Sequence, residues 1–171
     1  MANNMKLTDI TPHLQGRRIR IRCSKGFVSV SHDEPYAPVY IRDVKPGEWE
    51  TFTVWVAPDN WCGLRAANDK FLTVRADLSK LRPDMAVYMQ LLSDNPIKRQ
   101  PDANGVPLIY ASADIPEAWE MFKFYTIGSR IAICAQYNQL FVGSWNNSEL
   151  APLLCQEDIA NFEQYELLEL R

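Results

Sequence analysis

Three times in 171 residues the chain writes an aromatic residue, a glutamate, any residue, an aromatic residue, any residue and an apolar one. The copies are WETFTV from Trp49, WEMFKF from Trp119 and FEQYEL from Phe162. Set under one another they align Trp49, Trp119 and Phe162, then Glu50, Glu120 and Glu163, then Phe52, Phe122 and Tyr165, and finally Val54, Phe124 and Leu167. A chain that repeats itself must build its fold from repeated supersecondary units, so the repeat constrains architecture before any local propensity does.

Two more segments recur with the motif. IRIRCSKGFVSV from Ile19, CGLRAANDKFLTV from Cys62 and IAICAQYNQLFVG from Ile131 each read as an alternating strand, a polar turn and an apolar strand, the pattern of a β-hairpin. PVYIRDV from Pro38, PLIYASADI from Pro107 and PLLCQEDI from Pro152 supply a third strand. The aromatic-Glu motif opens the fourth.

Three units of four strands predict an all-β chain. Three propeller blades are too few to close a ring, whereas three four-stranded units close the barrel of a β-trefoil and remove the edges that alternating strands would expose. On this reading Phe52, Phe122 and Tyr165, with Ile21, Leu64 and Ile133, point inward. The units span about 16–58, 59–128 and 129–171 after an N-terminal lead-in over 1–15. Trp119 stands 70 residues after Trp49 but Phe162 only 43 after Trp119, so the second repeat carries an insertion of roughly 27 residues, about 77–105. Long loops on a rigid scaffold often carry function, yet a surface also tolerates them at little thermodynamic cost.

The residues resemble a known family at this point. GLRAANDKFLTV is similar to the fascin-like β-trefoil hairpin L-x-A-x-N-G-K-Y-L-T, and GEWETFTV and AWEMFKFYTI resemble that family's G-P-W-E-x-F strand. Asp69 stands where the family has its turn glycine, and Glu117-Ala118 and Ala160-Asn161 replace the Gly-Pro. The resemblance implies a trefoil fold and two activities, actin bundling and carbohydrate binding; bundling in that family uses several trefoils in one chain, and one is present here. Ricin-type trefoil lectins carry Q-x-W in each repeat, which this sequence lacks, so their galactose-binding residues do not transfer.

Composition narrows the function classes. With 47% hydrophobic and 23% charged residues and a net charge of -3, the chain reads as a globular protein without the field that gathers nucleic acid by counterion release. Alternation in Arg18-Ile19-Arg20-Ile21-Arg22 reads as one solvated strand face. No apolar run approaches the ~20 residues of a membrane helix, and MANNMKLTDITPHLQGRR lacks the apolar core of a secretion signal, so a cytoplasmic protein is expected. The four cysteines, Cys23, Cys62, Cys134 and Cys155, form no CxxC pair, and no metal or cofactor is implied. Cys23 and Cys134 read as matching, small, buried fillers.

No nucleophile motif, P-loop or HExxH is present, and His32-Asp33-Glu34 reads as a solvated turn, so the expectation is a non-enzymatic binding module. A glycosidase-like carboxylate pair is the enzymatic alternative, although Glu50, Glu120 and Glu163 recur with the fold and are expected to accept structural bonds at the repeat boundaries. For binding, Ser144-Trp145-Asn146-Asn147-Ser148 and Gln136-Tyr137-Asn138-Gln139 supply what a glycan needs, an aromatic face for its C–H surface and amides for its hydroxyls. Trp145, Asn146 and Asn147 are the expected ligand-binding residues, with Tyr137 and Asn138 an outer subsite roughly 17 Å away along one extended strand; Trp145 against the base of the barrel is the structural alternative. Trp61, Tyr36 and Tyr88 are lesser candidates. A glycan or glycoconjugate is the expected partner. A protein partner, actin or a protease engaged through surface loops, is the alternative.

Overall fold

Alternation decides which face of each strand is buried. In β2 (Arg18–Cys23) Ile19 and Ile21 are 0% and 1% exposed while Arg18, Arg20 and Arg22 stay at the surface. In β5 (Phe52–Val56) Phe52 and Val54 turn in, and Thr53 and Trp55 turn out. The structure is a computed structural model that describes residues 7–75, 108–136, 141–144, 151–156 and 165–170.

The remaining strands are β1 (Leu7–Asp9), β3 (Gly26–Val30), β4 (Val39–Arg42), β6 (Cys62–Arg65), β7 (Phe71–Arg75), β8 (Leu108–Ala113), β9 (Phe122–Ile127), β10 (Arg130–Ala135), β11 (Phe141–Ser144), β12 (Ala151–Gln156) and β13 (Glu166–Leu170). Following the pairings from β2 leads around a ring. β2 pairs β5, β5 pairs β6, β6 pairs β9 and β9 pairs β10. Reciprocal Ile131–Tyr165 backbone bonds of 2.8 Å carry β10 to the start of β13, which pairs β2. Six strands, the first and fourth of each repeat, thus close a barrel.

The other two strands of each repeat form three hairpins, β3–β4, β7–β8 and β11–β12. They meet one another through Ala151↔Ile41, Leu154↔Leu108 and Pro38↔Tyr110, a triangular cap over one mouth of the ring. A six-stranded barrel capped by three hairpins is a β-trefoil.

The core repeats as the sequence does. Ile21, Leu64 and Ile133 form one set of three inward side chains, and Val28, Leu72 and Val142 another. Phe122 and Tyr165 join them around a wholly apolar cavity of about 10 Å³, the lower limit for one water and with no polar group to hold it. Phe52, Phe122 and Tyr165 are 0%, 1% and 0% exposed.

Each described aromatic-Glu motif makes a single 3-10 turn, Glu48–Glu50 and Ala118–Glu120, before the fourth strand. One Glu50 oxygen accepts the Gly47 N–H at 2.8 Å and the other the Ser29 hydroxyl. Glu120 does the same with the Glu117 N–H and the Thr73 hydroxyl. Both carboxylates are buried, so the recurrent glutamate is structural. Its bonds lie within a repeat, tying the entrance of the fourth strand to the second, and not at the repeat boundaries as expected from sequence. Glu163 lies outside the described residues.

The cysteine alignment needs a correction. Cys134 follows Ile133 as Arg22 follows Ile21 and Arg65 follows Leu64, so Ala135, and not Cys134, matches Cys23 and Ala66. Cys23 is half-buried and free, and Cys62 and Cys134 are buried and free.

Two features had no sequence signal. The lead-in contributes β1, antiparallel to β9 through Leu7↔Ile127 and Asp9↔Tyr125, and the buried Thr11 hydroxyl accepts the Phe124 N–H at 2.8 Å. Gly16, at φ 75, opens a bulge: its N–H donates to the Val54 carbonyl while the Val54 N–H donates to the Arg17 carbonyl, both at 2.9 Å, so two residues oppose one. Among the described residues no helix is long and apolar enough to cross a membrane.

Candidate functional site

The loops between second and third strands leave the cap of the trefoil. In the third repeat that connection, between Ser144 and Ala151, holds Trp145, Asn146 and Asn147. All three lie outside the described residues, as do Tyr137 and Asn138 in the β10–β11 turn, Tyr88 and the 77–105 insertion. In the second repeat the same connection, between Arg75 and Leu108, contains the insertion. The first repeat shows this loop in full.

Residues 31–38 join β3 to β4. The Ser31 N–H donates to the Pro38 carbonyl at 2.8 Å and closes the loop's neck, and the Ala37 N–H reaches the Glu34 carbonyl at 3.1 Å. Tyr36 and Ala37 take left-handed backbone, φ 64 and 51. That conformation disfavours side chains with a Cβ, and the Tyr36 ring carried on it is 52% exposed.

Beneath the ring's loop the carboxylates are fixed. The Ser31 hydroxyl lies 2.6 Å from Glu34 Oε2 and 3.1 Å from Asp33 Oδ1, and the Tyr40 hydroxyl donates to Glu34 Oε1 at 3.0 Å. The bond from Ser31, then one from its own backbone, hold the Asp33 carboxyl below its ordinary value, with the charges of His32 and Arg42 assisting. Asp33 is therefore an anionic, exposed acceptor at neutral pH. His32 stacks on Trp49, centroids 4.2 Å apart and planes 15° from parallel, which pins the loop to the 3-10 turn of the aromatic-Glu motif. The His32-Asp33-Glu34 stretch is a built turn; its imidazole is engaged by an aromatic ring. An exposed aromatic face with an ionised acceptor three residues before it is chemistry for binding a polyhydroxylated ligand.

Trp61, the other described aromatic candidate, is half-buried with Lys123 Nζ 4.7 Å from its ring centroid, and Lys123 also pairs with Asp9 at 3.6 Å. It serves the barrel wall. Burial pushes the Cys134 thiol up to about 11 and Cys62 further still, so neither supplies a thiolate nucleophile at neutral pH.

In the sequence Tyr36 stands amid Asp, Glu and Pro like any residue of a polar turn. Its left-handed φ has no marker in the residue type.

No family model and no curated protein sequence matches the chain. Solved structures do. A designed threefold-symmetric protein, ThreeFoil, superposes with TM-score 0.65 at 12% identity over 90% of this chain and 99% of that one. A Polyporus squamosus lectin bound to a human-type influenza-binding epitope gives 0.61 at 12% identity, over 91% of this chain and 50% of that one. SeviL bound to asialo-GM1 saccharide gives 0.58 at 9% identity, over 92% and 100%. At these identities the likeness is one of fold, and it agrees with the closed ring and cap found from the pairings.

Proposed function

We propose that this trefoil is a non-enzymatic, lectin-like module that binds glycans through the loops between the second and third strands of its repeats. The observation that carries the reading is the first-repeat loop, where Tyr36 is thrust outward on strained backbone in the same loop as the ionised Asp33. The third repeat writes an aromatic residue with amides, Trp145, Asn146 and Asn147, at the same place in the chain order. Two of the structural neighbours are complexes with saccharides, and the hairpin GLRAANDKFLTV resembles fascin-like trefoils, a family with carbohydrate-binding members.

In this reading Tyr36 and Trp145 stack on sugar rings, Asp33, Asn146 and Asn147 accept or donate to hydroxyls, and Tyr137 and Asn138 serve a longer chain. Each loop makes a modest contact, with dissociation constants in the millimolar to micromolar range, about 4–8 kcal/mol. A glycan array run beside actin co-sedimentation tests it. Glycan retention that is lost in Trp145→Ala and weakened in Tyr36→Ala, with both variants melting as the parent does, is the expected result. Actin pelleting without glycan retention, or binding unchanged in both variants, overturns it.

A further inference from the structure

The outer wall of the barrel carries a second feature, set by register. Across β2, β5 and β6 the pairs Arg18↔Thr53 and Thr53↔Arg65 place two arginines on either side of one threonine. Directly paired residues share a face; Phe52, Val54, Ile19 and Leu64 occupy the inner one, so Arg18, Thr53 and Arg65 stand together on the outer. Two strand spacings put the two arginine Cα atoms about 10 Å apart, close enough for extended side chains to meet over the Thr53 hydroxyl.

Three of the described carboxylates are engaged by other cations. Glu166 takes Arg22 at 2.8 Å and Arg130 at 2.7 Å, Glu169 takes Arg17 at 3.3 Å, Asp114 takes Lys70, and Arg20 Nε donates to Thr51. Arg18 and Arg65 are both exposed, and no described side chain is paired with either. Two guanidiniums held side by side repel each other unless an anion lies between them, and their forks match a carboxylate or sulfate group.

Two residues along β5 on the same face, about 7 Å from Thr53, Trp55 is 41% exposed. Its cross-strand partner is Gly63. A Cβ there would meet the Phe71 ring at 2.9 Å and Pro116 Cβ at 3.2 Å, so an apolar floor fills the place of a side chain beside the indole. Nothing lies within 4 Å of the point where a Gly16 Cβ would be, at the bulge edging β5 on its other side.

We infer that Arg18, Thr53, Arg65 and Trp55 form a barrel-wall site for an acidic saccharide, its carboxylate or sulfate held by the two arginines over Thr53 and its pyranose ring lying on Trp55. An aromatic surface beside a two-pronged anion clamp selects a sugar acid or sugar sulfate over a bare anion. Two arginines on a chain of net charge -3 do not make a track for a polyphosphate backbone. The site is separate from the loop site and does not depend on it.

Titration by calorimetry and protein-observed NMR at low salt, with 3'-sialyllactose and lactose 3'-sulfate as acidic probes and lactose and inorganic sulfate as controls, tests this. At least one acidic probe should bind at millimolar or better affinity and more tightly than either control; which one tells carboxylate from sulfate. The double variant Arg18→Ala/Arg65→Ala should weaken it at least tenfold, and Trp55→Ala severalfold. Arg130→Ala, the loss of one positive charge elsewhere on the barrel, should leave it unchanged. Should the alanine pair fail to fold, Arg18→Lys/Arg65→Lys keeps the charge but loses the forks, and a severalfold loss is expected. Tyr36→Ala and Trp145→Ala should retain the acidic probe, so failure of the loop site is read apart from failure of this one. Equal affinity for inorganic sulfate, equal loss in Arg130→Ala, or no preference over lactose overturns the assignment.

Discussion

The Ser29 hydroxyl donates to the Glu50 carboxylate at 2.5 Å, and Thr73 repeats the bond to Glu120 across 47 residues of chain. Hydroxyl and carboxylate are buried in both repeats. Each glutamate is thereby anchored at both oxygens, one closing its 3-10 turn and the other reaching a cap hairpin. Thr73→Val leaves a buried charge one donor short and should cost about 1–3 kcal/mol, whereas Glu120→Ala loses both charge-assisted bonds and should cost about 2–4. Denaturant titration of the two variants and their double should show coupling, with the double less destabilised than the sum. Additive costs would mean the two groups act independently.

Asp69 occupies the left-handed region at φ 62, in the turn where the fascin-like pattern has glycine. The turn is otherwise well made: the Asp69 N–H donates to the Ala66 carbonyl at 3.0 Å, and Asn68 accepts from the Lys70 N–H at 3.1 Å and donates to the Ala111 carbonyl at 3.0 Å. Asp69→Gly should therefore stabilise the protein by about 0.5–1 kcal/mol by relieving the backbone. Asp69→Val, which adds β-branching at the same φ, should destabilise it. Melting temperatures in the reverse order would show that the Asp69 side chain contributes more than its backbone costs.

Much of the trefoil is legible in the sequence because its repeat is written in residues the core cannot exchange. Phe52, Phe122 and Tyr165 align in the sequence and are all buried in the barrel, and period-two alternation in β2 tells Ile19 from Arg18 without any structure. What resists reading is whatever depends on closure. That Arg18 and Arg65 flank one threonine follows from register across three strands that are far apart in the chain, and neither arginine carries a local mark of it. β1, only Leu-Thr-Asp, is too short to show alternation and is a strand only because β9 offers it an edge. The one-residue slip that matched Cys134 to Cys23 came from aligning like residues where the inward position, Ile21 or Ile133, is what counts. Of the candidate site, Tyr36 is legible in the sequence only as an aromatic residue in a polar stretch, its left-handed φ and its exposure being features of the folded loop, and Trp145 lies outside the described residues.

Glu166 sits between Arg22 and Arg130 on the barrel wall. The hydrogen bond and charge of Arg22, then Arg130, hold its carboxyl below the ordinary 4.5. A folded value below the unfolded one makes this contribution full above the unfolded value and removes it as pH falls through the folded one. The protein should lose part of its melting temperature as pH drops below 4.5, and Glu166→Gln should flatten that part of the profile while changing little at neutral pH, the pair being exposed. An unaltered acid profile in the variant would assign the loss to other carboxylates.

The insertion lies in the connection between β7 and β8. Its flanks are already in register, for Arg75 pairs directly with Leu108 at the open end of the β7–β8 hairpin. The two strands need only a turn to join them, as β3 and β4 are joined by residues 31–38. Replacing 78–104 with a short Gly-containing turn should leave a cooperatively folding protein, and shortening the closed loop should favour folding by about 1 kcal/mol. Urea unfolding followed by circular dichroism and by tryptophan fluorescence should give coincident transitions. If the shortened chain is molten or insoluble, the inserted segment packs on the barrel and contributes to its core. If it folds but loses glycan binding while Tyr36→Ala and Trp145→Ala do not, the second-repeat loop, and not the other two, carries the function proposed for this face.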